Sequence, residues 1–279
     1  MNSHDLALFS WRHLNQWQIS PIPTALLVLV SAAYVIGARR TAQPWPRARV
    51  VWFLLGALVT FLATQSVIAV YDMSYFAMHM AQHLALIMVA APLFALSAPL
   101  DLLYDQVRAV RRTLDGPAMK VVTHPLFAFG LYFVFIPFTH LTSFFNLMLE
   151  HEWIHHGEEI GFLLVGYLFF RVAFGLERGL TVHPGLRLVY VMAGVPVDTF
   201  TGLALAMETY NPFPRYATMA PPGVNRVWIL NQVHLGGAIM WIGGDALMLI
   251  ACVPIAVAWV RYETARTREL DRELDAQGL

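Results

Sequence analysis

Residues 75–98 read YFAMHMAQHLALIMVAAPLFALSA. No Asp, Glu, Lys or Arg interrupts them, and a helix of this length crosses the roughly 30 Å hydrocarbon core of a bilayer. The same run carries two imidazoles, His79 and His83. Residues four apart share one helix face, about 5–6 Å apart at Cβ, close enough for both rings to bind a single ion. Met73, Met78 and Met80 surround the pair. Ionisable groups inside a span are expensive and mark function.

Working outward, six more apolar runs of similar length appear, so the chain reads as an all-α bundle of seven transmembrane helices. The spans fall near 22–38, 50–70, 75–98, 123–142, 153–174, 187–208 and 232–260, with a charged tail over 261–279. The connections are too short for a separate soluble domain. Composition agrees: 58% of residues are hydrophobic and only 13% charged, against about 25% charged in soluble domains. Zero net charge argues against a nucleic-acid binder. The one cysteine, Cys252, excludes internal disulfides and thiolate metal cages.

Loop charges set the expected orientation. Arg39, Arg40, Arg47, Arg49, Arg108, Arg111, Arg112, Lys120, Arg171, Arg178, Arg187, Arg261, Arg266, Arg268 and Arg272 fall on one side; Arg12, Arg215 and Arg226 fall on the other. A 15-to-3 split places the N-terminus outside and the C-terminus in the cytoplasm, as an odd number of spans requires. Arg39 and Arg40 follow the first apolar run rather than precede it, so that run is expected to stay in the membrane and not be cleaved as a signal peptide. Leu102, Leu103, Val107, Val110 and Leu114 form an apolar stripe beside arginines, the pattern of a helix lying on the membrane surface. The proline-rich segment 209–231 reads as a rigid outer loop.

With that topology His4, His13, His79, His83, His140, His151, His155, His156 and His234 lie on the outer side, and only His124 and His183 inside. His155, Glu158 and Glu159 lead directly into the fifth span, whereas His151 and His156 are set aside as loop residues. His140 closes the fourth span and His234 opens the seventh, so four helices bring imidazole to one depth. Neutral imidazole beside thioether suits copper, Cu(I) above all; imidazole with carboxylate also suits zinc or Cu(II). Asp198 and Asp245 lie deep in the sixth and seventh spans, where a structural partner outweighs a proton path.

His151-Glu152-Trp153-Ile154-His155 is a literal zinc-protease H-E-x-x-H. The candidate third ligand, Asp115 of Leu114-Asp115-Gly116, falls in the arginine-rich cytoplasmic connection, on the wrong side of the membrane. Proteolysis is set aside on that ground.

Three segments resemble the polytopic CtaG family of cytochrome c oxidase assembly factors. They are Met78–Leu84 running on to Ala90-Ala91-Pro92 and Ser97-Ala98-Pro99; His124-Pro125 with Phe138-Thr139-His140-Leu141 and His155–Glu158 leading into Gly161–Phe170; and Leu235–Trp241. Together they span about residues 50–260. The chain departs from the family pattern at Glu158-Glu159, where Glu-His is common, and at Gln232, where an acid is common. The resemblance implies a bacterial cytoplasmic-membrane protein needed to build a copper-containing terminal oxidase. The expectation is then an assembly factor, not a catalyst. His79, His83 and His155 hold copper, while His140, Glu159 and a methionine such as Met80 complete or tune the site. The partners are oxidase subunits, the bilayer, and a periplasmic or extracellular copper donor. Rival readings are a proton or ion transporter built on Asp198, Asp245, Glu158 and Glu159, and a b-type haem carrier.

Overall fold

The computed structural model describes residues 8–180 and 182–277, with backbone only at 108–110. His4 and the last two residues of the tail lie outside the described residues, as does the side chain of Val110. The described chain is helical throughout, without strands. In order it forms α1 (Pro21–Arg39), α2 (Arg47–Gln65), α3 (Val67–Tyr71), α4 (Phe76–Ala85), a π-helical turn (Leu86–Ala90), α5 (Ala91–Ser97), α6 (Pro99–Gln106), α7 (Arg108–Leu114), α8 (Pro117–Val122), α9 (Pro125–Leu141), α10 (Phe144–Glu150), α11 (Glu152–Phe174), α12 (Pro184–Ala206), α13 (Pro214–Met219), α14 (Arg226–Ala238), a second π-helical turn (Ile239–Gly243) and α15 (Gly244–Gln277).

Five helical segments among the described residues are long and apolar enough to cross a membrane: Pro21–Arg39, Arg47–Tyr71, Phe76–Gln106, Pro184–Ala206 and Arg226–Gln277. A sixth arises if α9 and α10, bent by 68° at their junction, count as one span. Leu26, Leu29, Leu54, Leu58, Ile242 and Val253 point away from the bundle, and lipid is the solvent in which such faces are at rest.

Helix starts follow local chemistry. Pro21, Pro99, Pro117, Pro125, Pro184 and Pro214 each occupy a first turn, where a missing N–H costs nothing. His124 and His183 cap α9 and α12, each accepting a backbone N–H through Nδ1. Asn225 caps α14 by accepting from the Trp228 N–H at 2.8 Å. That cap starts the last span six residues before the expected boundary, and α15 carries the helix on through the charged tail.

The expected surface helix over 102–114 is broken at Val107, whose extended backbone ends α6 and starts α7, and Pro117 then opens α8 after Gly116. Leu102 is buried against Tyr34, Ala38 and Phe53, while Leu103 and Val107 are exposed. The 209–231 segment is more than a rim. Phe213 and Tyr216 are buried, and the Tyr216 hydroxyl accepts the Phe76 N–H at 3.0 Å. This segment therefore covers the start of α4.

Close packing fixes the central helices. A Cβ on Gly166 of α11 would come within 2.8 Å of Ala91 and of Ile87. Gly202 of α12 and Gly237 of α14 meet similarly, each Cβ position lying 2.6 Å from the other's carbonyl oxygen. Small residues give membrane helices this approach.

Candidate metal centre

The turns of α4 that carry His79 and His83 and the first turns of α11 face each other. His79 and His83 come from α4 and His155 from α11; all three are buried. Their ligand atoms lie within 4.8 Å of one another. The ring centroids of His79 and His83 are 4.0 Å apart, and those of His79 and His155 are 5.6 Å apart. Glu158 enters the same space: its Oε2 is 3.8 Å from His79 Nε2 and 3.6 Å from His83 Nε2.

Both nitrogens of His79, Nε2 of His83, Nε2 of His155 and both carboxylate oxygens of Glu158 are buried without a hydrogen-bond partner. Each such group ordinarily costs about 1–3 kcal/mol, and buried polar groups are otherwise almost always paired. Converging imidazole lone pairs and a carboxylate share one remedy, a cation among them. The donor set therefore fits a metal ion.

His140 orients rather than joins this set. Its Nδ1 lies 2.9 Å from the Ile136 carbonyl, which only accepts, so the proton sits on Nδ1. Nε2 is left with its lone pair, 3.5 Å from Nδ1 of His83. His83 donates from Nδ1, and its free Nε2 turns toward Glu158. Such outer partners set ring orientation and ligand basicity at metal sites.

Glu159, one residue along, faces elsewhere. Its Oε1 accepts from Gln82 Nε2 at 3.0 Å and its Oε2 pairs with His156 Nδ1 at 2.9 Å. Gln82 Nε2 also reaches Asp72 Oδ2 at 2.9 Å and the Ala63 carbonyl at 3.2 Å. Asp72 Oδ2 lies 3.6 Å from His155 Nε2. Burial pushes the Asp72 carboxyl up to about 6, against the opposing pull of the His155 ring. Asp72 and Gln82 are the residues that sequence reasoning passed over. The signal for Gln82 was present, an amide between two histidines in an apolar span.

Met80 packs at Gly236 of α14 and lines, with His83, His140 and Asp198, a small cavity of about 10 Å³. His234 lies apart, its Nε2 bonded to the Glu208 carbonyl at 2.7 Å, and His151 is exposed. Asp198 accepts from the Tyr132 hydroxyl and Asp245 from Thr199 at 2.9 Å. The larger cavity, about 660 Å³, lies at the opposite end among Asp101, Lys120, Arg171 and Arg178. Arg171 pairs there with buried Glu177, and Arg178 with Asp105 at 3.0 Å.

The sequence profile of the cytochrome c oxidase caa3 assembly factor family matches residues 32–262. The chain belongs to that family. The family match takes in every helix from the middle of α1 to the start of the charged tail, and so includes all residues of the histidine cluster. Uncharacterized proteins of Mycobacterium leprae, Mycobacterium bovis and Mycobacterium tuberculosis are each 27% identical over 95% of the chain. Those alignments take up 42% of each relative, so the chain spans less than half the length of the curated relatives it matches. No solved structure matches the chain.

Proposed function

We propose that this caa3 assembly factor holds copper, as Cu(I), on His79, His83 and His155 and passes it to an oxidase subunit in the same membrane. The observation that carries the reading is the trio of buried imidazoles with unpaired nitrogens beside Glu158. The family supplies the context, because the oxidase whose assembly gives the family its name is a copper enzyme. The role is read as assembly rather than catalysis, in line with the family match. Copper enters as cargo from a donor outside the membrane and leaves to an oxidase subunit. Metal analysis of the purified protein tests the reading, with near-stoichiometric copper as the expected result. Retained zinc without copper would favour a second reading, a zinc site of three imidazoles and the Glu158 carboxylate. The placement of Glu158 within 3.8 Å of two rings is what supports that alternative. The transport reading is weaker, since Asp198 and Asp245 already have hydroxyl partners.

The same proposal places the chain in the bacterial cytoplasmic membrane with seven spans and the N-terminus outside. To the five long apolar segments it adds α9, 17 residues long, and α11, 23 residues long. α11 carries Glu152, Glu158, Glu159 and Arg171, the charges that separate it from an ordinary span. Reporter fusions after Gly116 and Arg178 should give a cytoplasmic signal, and fusions within 209–231 an outside one. An outside signal after Gly116 would invert the topology and put the histidines at the cytoplasmic face.

A further inference from the structure

We propose that His156, Glu159 and His155 form a surface capture site, where incoming Cu(I) is held before it moves inward to His79 and His83. The inference rests on the copper reading above. The ligand atoms of His155, His156 and Glu159 all lie within 4.8 Å of one another, and this set shares His155 with the buried trio. Exposure falls steeply along the route. The side chain of Glu152 is 84% exposed and that of His156 42%, whereas His155 is 8% exposed and His79 fully enclosed. His156 is thus the ring through which solvent meets a ligand set that reaches the interior.

Two further features suit a waypoint. His155 Nε2 is buried and unpaired, so the shared ligand is not locked to one partner. Gln82 joins the two sets: its Nε2 donates both to Glu159, in the outer set, and to Asp72, which lies against His155. The outer set has one imidazole fewer and one carboxylate more than the trio, and carboxylate is the poorer ligand for a soft ion. Cu(I) therefore runs from the weaker outer site to the stronger inner one.

The step is a ligand exchange without change of oxidation state. On capture, the His156 proton moves from Nδ1 to Nε2, which lies 3.9 Å from Glu152 Oε1, and the freed Nδ1 lone pair binds copper. On transfer, the bonds from copper to His156 and Glu159 break and bonds to His79 and His83 form, with His155 retained. His156 then recovers its proton on Nδ1 and its hydrogen bond to Glu159.

A waypoint lowers the barrier in both directions and leaves the end states alone. Cu(I) held by bathocuproine disulfonate under anaerobic reducing conditions is mixed with the full chain in detergent, and loading and unloading are followed by the chelator's absorbance. His156→Ala should slow both by about tenfold or more, the change expected from ~1.4 kcal/mol of barrier, with the final partition of copper unchanged. His156→Cys, which restores a soft ligand but not the ring hydrogen bond, should recover the rate. Unchanged rates in His156→Ala would overturn the proposal. So would a shifted partition, which would make His156 part of the resting site, or a His156→Cys protein as slow as His156→Ala. Wild-type protein that takes no copper would remove the copper reading and this proposal together. Failure confined to the His156 variants leaves the copper reading standing.

Discussion

Replacing His79 and His83 together with alanine removes the tightly held, near-stoichiometric copper from the purified protein, leaving at most the weaker outer set of His155, His156 and Glu159. One imidazole of the trio then remains, on the far side of a buried space, beside a Glu158 carboxylate that has lost the rings it approached at 3.8 and 3.6 Å. A single imidazole with a carboxylate is a poor site for Cu(I). His155→Ala removes one ligand and weakens binding without erasing it. His140→Ala leaves all three ligands but frees the His83 ring, and loss of such an outer partner costs roughly 10–100-fold in affinity. His183→Ala is the control, because that ring caps α12 and accepts from the Gly185 N–H. Copper content is read by elemental analysis, and correct insertion by the reporter fusions described above. Undiminished copper in the double variant would end the assignment.

In cells lacking the protein, oxidase polypeptides and haem are made but the enzyme lacks copper and activity. Excess copper in the medium partly restores it, since raising free ligand relative to its dissociation constant substitutes for delivery by mass action. A correctly inserted His79→Ala protein behaves like the deletion: a site missing one of its adjacent ligands loads too weakly to donate. The deciding quantity is copper per oxidase in membranes of the deletion strain. A normal ratio alongside poor growth would sink the delivery reading and favour an ion-transport role.

The histidine pair was legible because helical spacing is a local property. His79 and His83, four apart, share a face whatever surrounds them. His155 stood out by leading into an apolar run. The choice between Glu158 and Glu159 was not legible, since neighbouring residues on a helix differ by about 100° in direction and nothing local fixes which one faces α4. Packing decides it. Phe162, one turn on from Glu158 on the same face, packs its ring 4.0 Å from that of His83, and this keeps Glu158 toward the rings while Glu159 turns to Gln82. Asp72 was hidden for a different reason. It lies in the turn between α3 and α4, and its place beside α11 depends on how three helices assemble. The break of the 102–114 stripe at extended Val107 was not legible, since its apolar spacing continues on both sides.

The π-helical turns at 86–90 and 239–243 alter how these helices must be counted. Each takes up an extra residue relative to the α-helical pattern, so the two halves of one continuous span run out of phase by about 100°. In the α4–α5 span the histidines lie before the offset and the contact of Ala91 with Gly166 after it. A helical wheel drawn through the whole span therefore puts one of these on the wrong side. Variants of this protein, and alignments of its relatives, have to be read in two registers. A one-residue gap within 86–90 would not be a neutral shortening but a rotation of the metal-facing half against its own anchor.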